Sequence, residues 1–263
     1  MTRLVHELRL FFIALQFFTR VPVPAWVGWS PAWMHDSARH YPLVGLGVGA
    51  FGAAVLWAAA QVWPLSVAVG LSMAATVWLT GGFHEDGLAD TCDGLGGAVG
   101  RERALTIMKD SRLGSYGALG LVGVLGLKAA ALHGLASAGL GAACVAAVWA
   151  HALSRVAPVV LLRVLPYAGD PEHAKAKPMA QQISGAGFGW VLGVALGLCA
   201  VAAALTTGRA VLVATAALVA MTAWCARWYR QRLGGFTGDT LGAAQQLGEL
   251  AGLLGWLAGV AHG

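Results

Sequence analysis

Tyr41-Pro42-Leu43-Val44-Gly45-Leu46-Gly47-Val48-Gly49-Ala50-Phe51-Gly52-Ala53-Ala54-Val55-Leu56-Trp57-Ala58-Ala59-Ala60-Gln61-Val62-Trp63 carries no charged side chain from end to end. A helix needs about 20 apolar residues to cross a bilayer, so this stretch reads as a membrane span. Six more stretches of similar character follow, at roughly 65–83, 113–137, 139–165, 186–207, 209–227 and 241–261. Composition agrees: of 263 residues, 58% are hydrophobic and 11% charged, and mean hydropathy is +0.69. That excludes disorder, a coiled coil, a disulfide-rich module and a water-soluble enzyme. The 37 glycines permit close helix approach, and the 11 tryptophans suit the lipid–water boundary. The expected fold is an all-α polytopic integral membrane helix bundle of about seven transmembrane helices, in one domain over residues 1–263.

Residues 1–20 do not read as a signal peptide: the apolar run Leu10 to Phe18 is too short to span, and no small-residue cleavage site follows. An N-terminal interfacial helix is expected, with Arg3, Arg9 and Arg20 as its basic face. Short junctions at Trp63-Pro64, Ala138-Gly139 and Thr207-Gly208-Arg209 alternate with long polar segments at 84–112, 166–185 and 228–240. Successive spans alternate sides, so the three polar segments share one face. They hold Arg101, Arg103, Lys109, Arg112, Lys175, Lys177, Arg230 and Arg232, against Arg209 alone in the short turns. The positive-inside rule makes that face cytoplasmic. The same rule accounts for a net charge of +5, which gives no nucleic-acid signal. Cys92, Cys144, Cys199 and Cys225 form no CxxC pair. Gly45-Gly49 and Gly193-Gly197 permit tight packing within one subunit or between subunits of a homo-oligomer.

Six of the twelve acids fall in one segment: Glu85, Asp86, Asp90, Asp93, Glu102 and Asp110. If the segment is helical, Asp86, Asp90 and Asp93 lie at i, i+4 and i+7 on one face. Three carboxylates so placed repel one another unless a cation sits among them. Hard oxygen ligands suit Mg²⁺, which keeps waters and bridges to substrate phosphates. The plain alternative is a solvated acidic loop; the interleaved Gly87, Gly94, Gly96 and Gly97 are residues a solubilising helix would avoid. Lys109 and Arg112, beside Gly114 and Ser115, make a candidate anion site, or simply anchor the cytoplasmic face.

Gly234-Gly235-Phe236-Thr237-Gly238-Asp239-Thr240 precedes the last apolar stretch, where its glycines permit close approach to a ligand; Asp239 also suits a helix N-cap. Glu249 lies inside that stretch, one turn beyond Gln245 and Gln246. Acids inside spans face the bundle interior or a wet cavity, so Glu249 is a ligand contact or an interhelical partner. Arg155, near His151 and Ser154, is open to the same two readings.

Five segments in order carry a resemblance to a known family. They are Phe18-Thr19-Arg20-Val21-Pro22-Val23-Pro24, Tyr41-Pro42-Leu43-Val44-Gly45, Gly81-Gly82-Phe83-His84-Glu85-Asp86-Gly87-Leu88-Ala89-Asp90-Thr91-Cys92-Asp93-Gly94, Lys109-Asp110-Ser111-Arg112-Leu113-Gly114 and Gly234-Gly235-Phe236-Thr237-Gly238-Asp239-Thr240-Leu241-Gly242-Ala243. Across essentially the whole chain they resemble the cobalamin synthase (adenosylcobinamide-GDP ribazoletransferase) family. The resemblance implies a Mg²⁺-dependent enzyme of the bacterial inner membrane. It would join adenosylcobinamide-GDP to α-ribazole, or to α-ribazole 5'-phosphate, with GMP leaving. It carries over His84, Glu85, Asp86, Asp90, Asp93 and Asp239. Chemistry then suggests Asp86, Asp90 and Asp93 as metal ligands and His84 or Glu85 as general base. Asp239 would hold a second metal or the nucleophile. Lys109, Arg112, Arg155, Thr237 and Glu249 are candidate substrate-binding residues. Two other classes compete: a CDP-alcohol phosphotransferase or prenyltransferase, and a transporter. The first matches Asp86-Gly87-Leu88-Ala89 but lacks the following Arg; the second expects ionisable residues at the midplane of paired halves, not at one face.

Overall fold

In the computed structural model, which describes residues 3–169 and 179–261, the chain folds into helices, with one isolated parallel bridge between Tyr167 and Phe236. In chain order they are α1 (Arg3–Phe18), α2 (Pro31–Ser37), α3 (Tyr41–Ala60), α4 (Leu65–Thr80), α5 (Phe83–Gly96), α6 (Arg101–Met108), α7 (Ser115–Ala138), α8 (Leu140–Ser154), α9 (Val156–Val164), α10 (Gly185–Leu205), α11 (Gly208–Leu233) and α12 (Gly238–Ala261).

Five membrane-length apolar elements are present among the described residues: α2 with α3, α7, α8 with α9, α10, and α11. A sixth exists if α4 and α5 count as one span, but they meet at 90°. The seventh expected span, α12, carries Gln245, Gln246 and Glu249 and is too polar to stand in lipid alone. It is instead the centre of the bundle, packed against α5, α7, α8, α9 and α11, with those three side chains buried. The polar segments expected as loops are largely helical: 83–96 and 101–108 form α5 and α6, and α11 runs on to Leu233.

α1 is more than an interfacial helix. Leu10, Ile13, Ala14 and Phe18 recur at helical spacing and are buried in the bundle. Its Arg9 stacks over Trp33, 4.6 Å from the ring centroid, and donates to the Trp26 carbonyl. Gly45 and Gly49 serve packing within the chain: a side chain at either would run into the α8 backbone, at His151–Ala152 and Val148 respectively. Around Gly193 and Gly197 a side chain would meet open space.

The three polar segments do meet at one end. Arg101 donates to the carbonyls of Leu233 at 2.7 Å and Ala168 at 3.1 Å, tying all three together. Arg232 donates to Leu95 and Gly97 at the end of α5, and Arg230 to Val164 at the end of α9. Cations at helix C-termini satisfy the last carbonyls and oppose the helix dipole. These arginines therefore organise the polar end as well as charging it. Lys175 and Lys177 lie outside the described residues.

Candidate active site

The site begins where α4 stops. Gly81 and Gly82 take φ of 71° and 73°, a left-handed conformation that costs a side-chain-bearing residue energy and glycine little. The pair ends α4 and turns the chain through 90° into α5, whose first turn presents His84, Glu85 and Asp86. His84 is 3% exposed and stacks on Phe18 of α1, with ring centroids 5.2 Å apart and planes 15° apart. Its Nε2 is buried without a hydrogen-bond partner in the chain.

The second wall comes from the start of α12, far along the chain from α5. Thr237 and Thr240 cap that helix reciprocally: the Thr237 amide donates to Thr240 Oγ1 at 2.8 Å and the Thr240 amide to Thr237 Oγ1 at 3.3 Å. The candidate ligand contact Thr237 is thus occupied as a cap, a role that does not fall to Asp239. Gly87 of α5 lies directly on the Asp239 backbone: a Cβ on it would stand 2.9 Å from the Asp239 carbonyl oxygen. Gly242 meets His84 and Gly87 from the other side of the crossing. The glycines of the two motifs are what bring the motifs together.

His84, Asp86 and Asp239 line one cavity of about 460 Å³, whose other walls include Phe17, Phe18, Tyr41 and Leu241. A second cavity of about 630 Å³ is lined by Thr19, Arg20, Gly81, Glu85, Asp86 and Leu113. The two share Phe17, Phe83 and Asp86. Arg20, expected on the basic face of α1, instead lies against Gly81, where a Cβ would stand 3.1 Å from its Nε. Sequence reasoning gave it no place in a site; its position within Phe18-Thr19-Arg20 was the available signal.

The expected three-carboxylate cage is not formed. Among the described residues no group of three or more His, Cys, Asp or Glu side chains is placed to hold a metal. Asp93 is turned to the N-terminus of α7, where it accepts from the amides of Gly114 and Gly117, each at 2.8 Å. Those amides and the helix dipole satisfy its charge. Asp90 lies half-buried on α5, and neither cavity's lining includes it. Mg²⁺ itself takes one or two protein carboxylates, with waters and phosphates completing its shell. Asp86 and Asp239, lining one cavity from two helices, fit that donor set.

Other candidates lie elsewhere. Arg112 is exposed and pairs with Asp110, holding that carboxyl down at about 2 through its hydrogen bonds; Lys109 is exposed just past α6. Glu249, 3% exposed, lies in an ion cluster, with Lys128 Nζ at 2.6 Å and His151 Nδ1 at 3.3 Å. Gln245 donates to Glu249 and Ser154, and Lys128 to Gln246. Gln246 in turn donates to Glu85 at 2.9 Å, so the cluster reaches the first turn of α5. Arg155, 1% exposed, sits under Phe18, its guanidinium carbon 5.8 Å from the ring, and donates to the His151 carbonyl. Arg155 and Glu249 therefore support the cavity wall from behind. The lone apolar-stretch Lys128, for which the sequence suggests no role, is the partner Glu249 needs.

Known proteins share this sequence along its length. Curated relatives named adenosylcobinamide-GDP ribazoletransferase include one from Leptothrix cholodnii, 73% identical over 99% of both chains. One from Shewanella amazonensis is 44% identical over 95% of both, and one from Vibrio cholerae 42% identical over 98% of this chain and 96% of the relative. No solved structure matches the chain. Residues 10–257 match the cobalamin-5-phosphate synthase family, a span that holds both cavities and both motifs, and the chain belongs to that family.

Proposed function

We propose that the chain joins adenosylcobinamide-GDP to α-ribazole, or its 5'-phosphate, releasing GMP. The observation that carries the mechanism is that His84 and Asp86 of one motif and Asp239 of another line a single cavity. Asp86 and Asp239 would hold Mg²⁺, which when bound supplies positive charge against the diphosphate and the departing GMP. A ribose hydroxyl attacks the phosphorus nearest the corrin side chain, and the bond to the GMP oxygen breaks. His84, which lines the cavity and whose Nε2 has no hydrogen-bond partner in the chain, takes the hydroxyl proton. Glu85, bonded to Gln246, fixes the first turn of α5. The protein works in the bacterial inner membrane with the polar end cytoplasmic, a reading supported by the arginines and lysines gathered there.

The test is purified, lipid-supported protein incubated with both substrates and Mg²⁺. GMP and cobalamin should form together and stop when EDTA is added. Folded protein yielding neither product refutes the reaction; product formation undiminished by EDTA refutes the metal.

A further inference from the structure

The two cavities that meet at Asp86 differ in openness and in the presence of a cation, and the reaction has two substrates that differ in bulk and charge. We infer that the less open cavity, lined by His84, Asp86 and Asp239, is the α-ribazole site and that the cavity beside Arg20 receives the diphosphate of adenosylcobinamide-GDP. The assignment rests on the ribazoletransferase reading and goes beyond it.

Small-molecule sites run to roughly 300–1,000 Å³, so a volume of about 460 Å³ suits a single heteroaromatic nucleoside. A corrin carrying a nucleotide is several times larger and does not fit. The walls agree with a flat, uncharged base: Phe17, Phe18, Tyr41 and Phe83 line the space, and aromatic faces stack on bases irrespective of their edge groups. At the polar end His84, Asp86 and Asp239 line the space, so a sugar hydroxyl seated there lies among the residues proposed to take the proton and to hold the metal. No lysine or arginine is among this cavity's lining residues.

The second cavity also carries two carboxylates, Glu85 and Asp86, and shares Phe17 and Phe83 with the first, but it adds a cation, Arg20. Arg20 and Thr19 line it with the Gly81-Gly82 turn, and Arg20, Gly81, Phe83, Asp86 and Leu113 are exposed there. An exposed guanidinium forks onto phosphate oxygens, and an open mouth leaves the corrin outside the wall. With Asp86 common to both cavities, the nucleophile and the diphosphate reach the reacting phosphorus from separate spaces. Such an arrangement is compatible with a displacement in which attacking and leaving oxygens lie in line.

Filling the less open cavity separates the two substrates. Leu241→Trp, and the milder Ala180→Val on the same wall, should raise KM for α-ribazole, by about tenfold or more for the first, with KM for adenosylcobinamide-GDP unchanged within about twofold. Arg20→Ala should do the reverse. Equilibrium dialysis should show α-ribazole binding to wild-type protein alone and weakened in both filling variants. A folded Leu241→Trp or Ala180→Val protein whose defect falls on adenosylcobinamide-GDP, while wild type turns over normally, overturns the assignment and leaves the reaction standing. Wild-type protein that turns over neither substrate overturns the reaction, and the assignment with it.

Discussion

Asp86, Asp93 and Asp239 are the same side chain in three different situations, and what each carboxylate meets decides what it does. Asp93 is held by two α7 amides. Asp93→Ala removes two charge-assisted bonds, and thermal unfolding should show a loss of about 1.5–3 kcal/mol; an unchanged unfolding temperature would remove Asp93 from that structural role. Lys128 and Glu249 form a buried pair, which is costly to halve. Lys128→Met leaves Glu249 short of a partner and should cost about 3–5 kcal/mol, much of it recovered in Lys128→Met with Glu249→Gln. A double variant no more stable than the single would show that the pair's charges are not the issue. The acid spacing on α5 was legible in the sequence, because helical periodicity alone puts Asp86, Asp90 and Asp93 on one face. Their division of labour was not, because the amides that claim Asp93 arrive from 21 and 24 residues downstream. Likewise Glu249 announced itself as a buried acid, but Lys128 and His151 come from two other helices.

Among elements, the short turns and the polar end were readable because apolar length and turn residues are local properties. The α4–α5 bend was not: an apolar stretch at 65–83 gives no sign that two left-handed glycines stop the helix before the stretch ends. Nor was the centrality of α12, whose polarity argues against lipid and is explained only by burial among five other helices. The crossing of α5 over α12 carries the largest functional consequence. Gly87→Ala places a methyl against the Asp239 carbonyl, and relaxing such overpacking costs about 1–3 kcal/mol. The helices should move apart, so turnover should fall by about tenfold or more while the protein remains folded in detergent, as size-exclusion chromatography would report. Wild-type turnover in Gly87→Ala would mean that the spacing of α5 and Asp239 is immaterial.

Over the whole molecule, α-helical membrane architecture followed from composition, and the shared end of the polar segments followed from span alternation. Arg101 supplies the physical link, joining all three segments through two carbonyls. Orientation in the bilayer is open to labelling in a background without the four native cysteines. Gly208→Cys, at the start of α11, should react with a membrane-impermeant maleimide in spheroplasts, and Ser111→Cys should react only after lysis; the reverse pattern would invert the topology. The central claim is that two motifs far apart in the chain, one around Asp86 and one around Asp239, form one catalytic unit. Its most direct test is GMP release under single-turnover conditions by Asp86→Asn, Asp239→Asn and the double variant, all checked for folding. Each single change should cost about 100-fold or more, and the double change should cost little beyond the worse single, because residues acting as a unit are not additive. Near-normal release by either single variant, or losses that multiply in the double, would contradict a shared site.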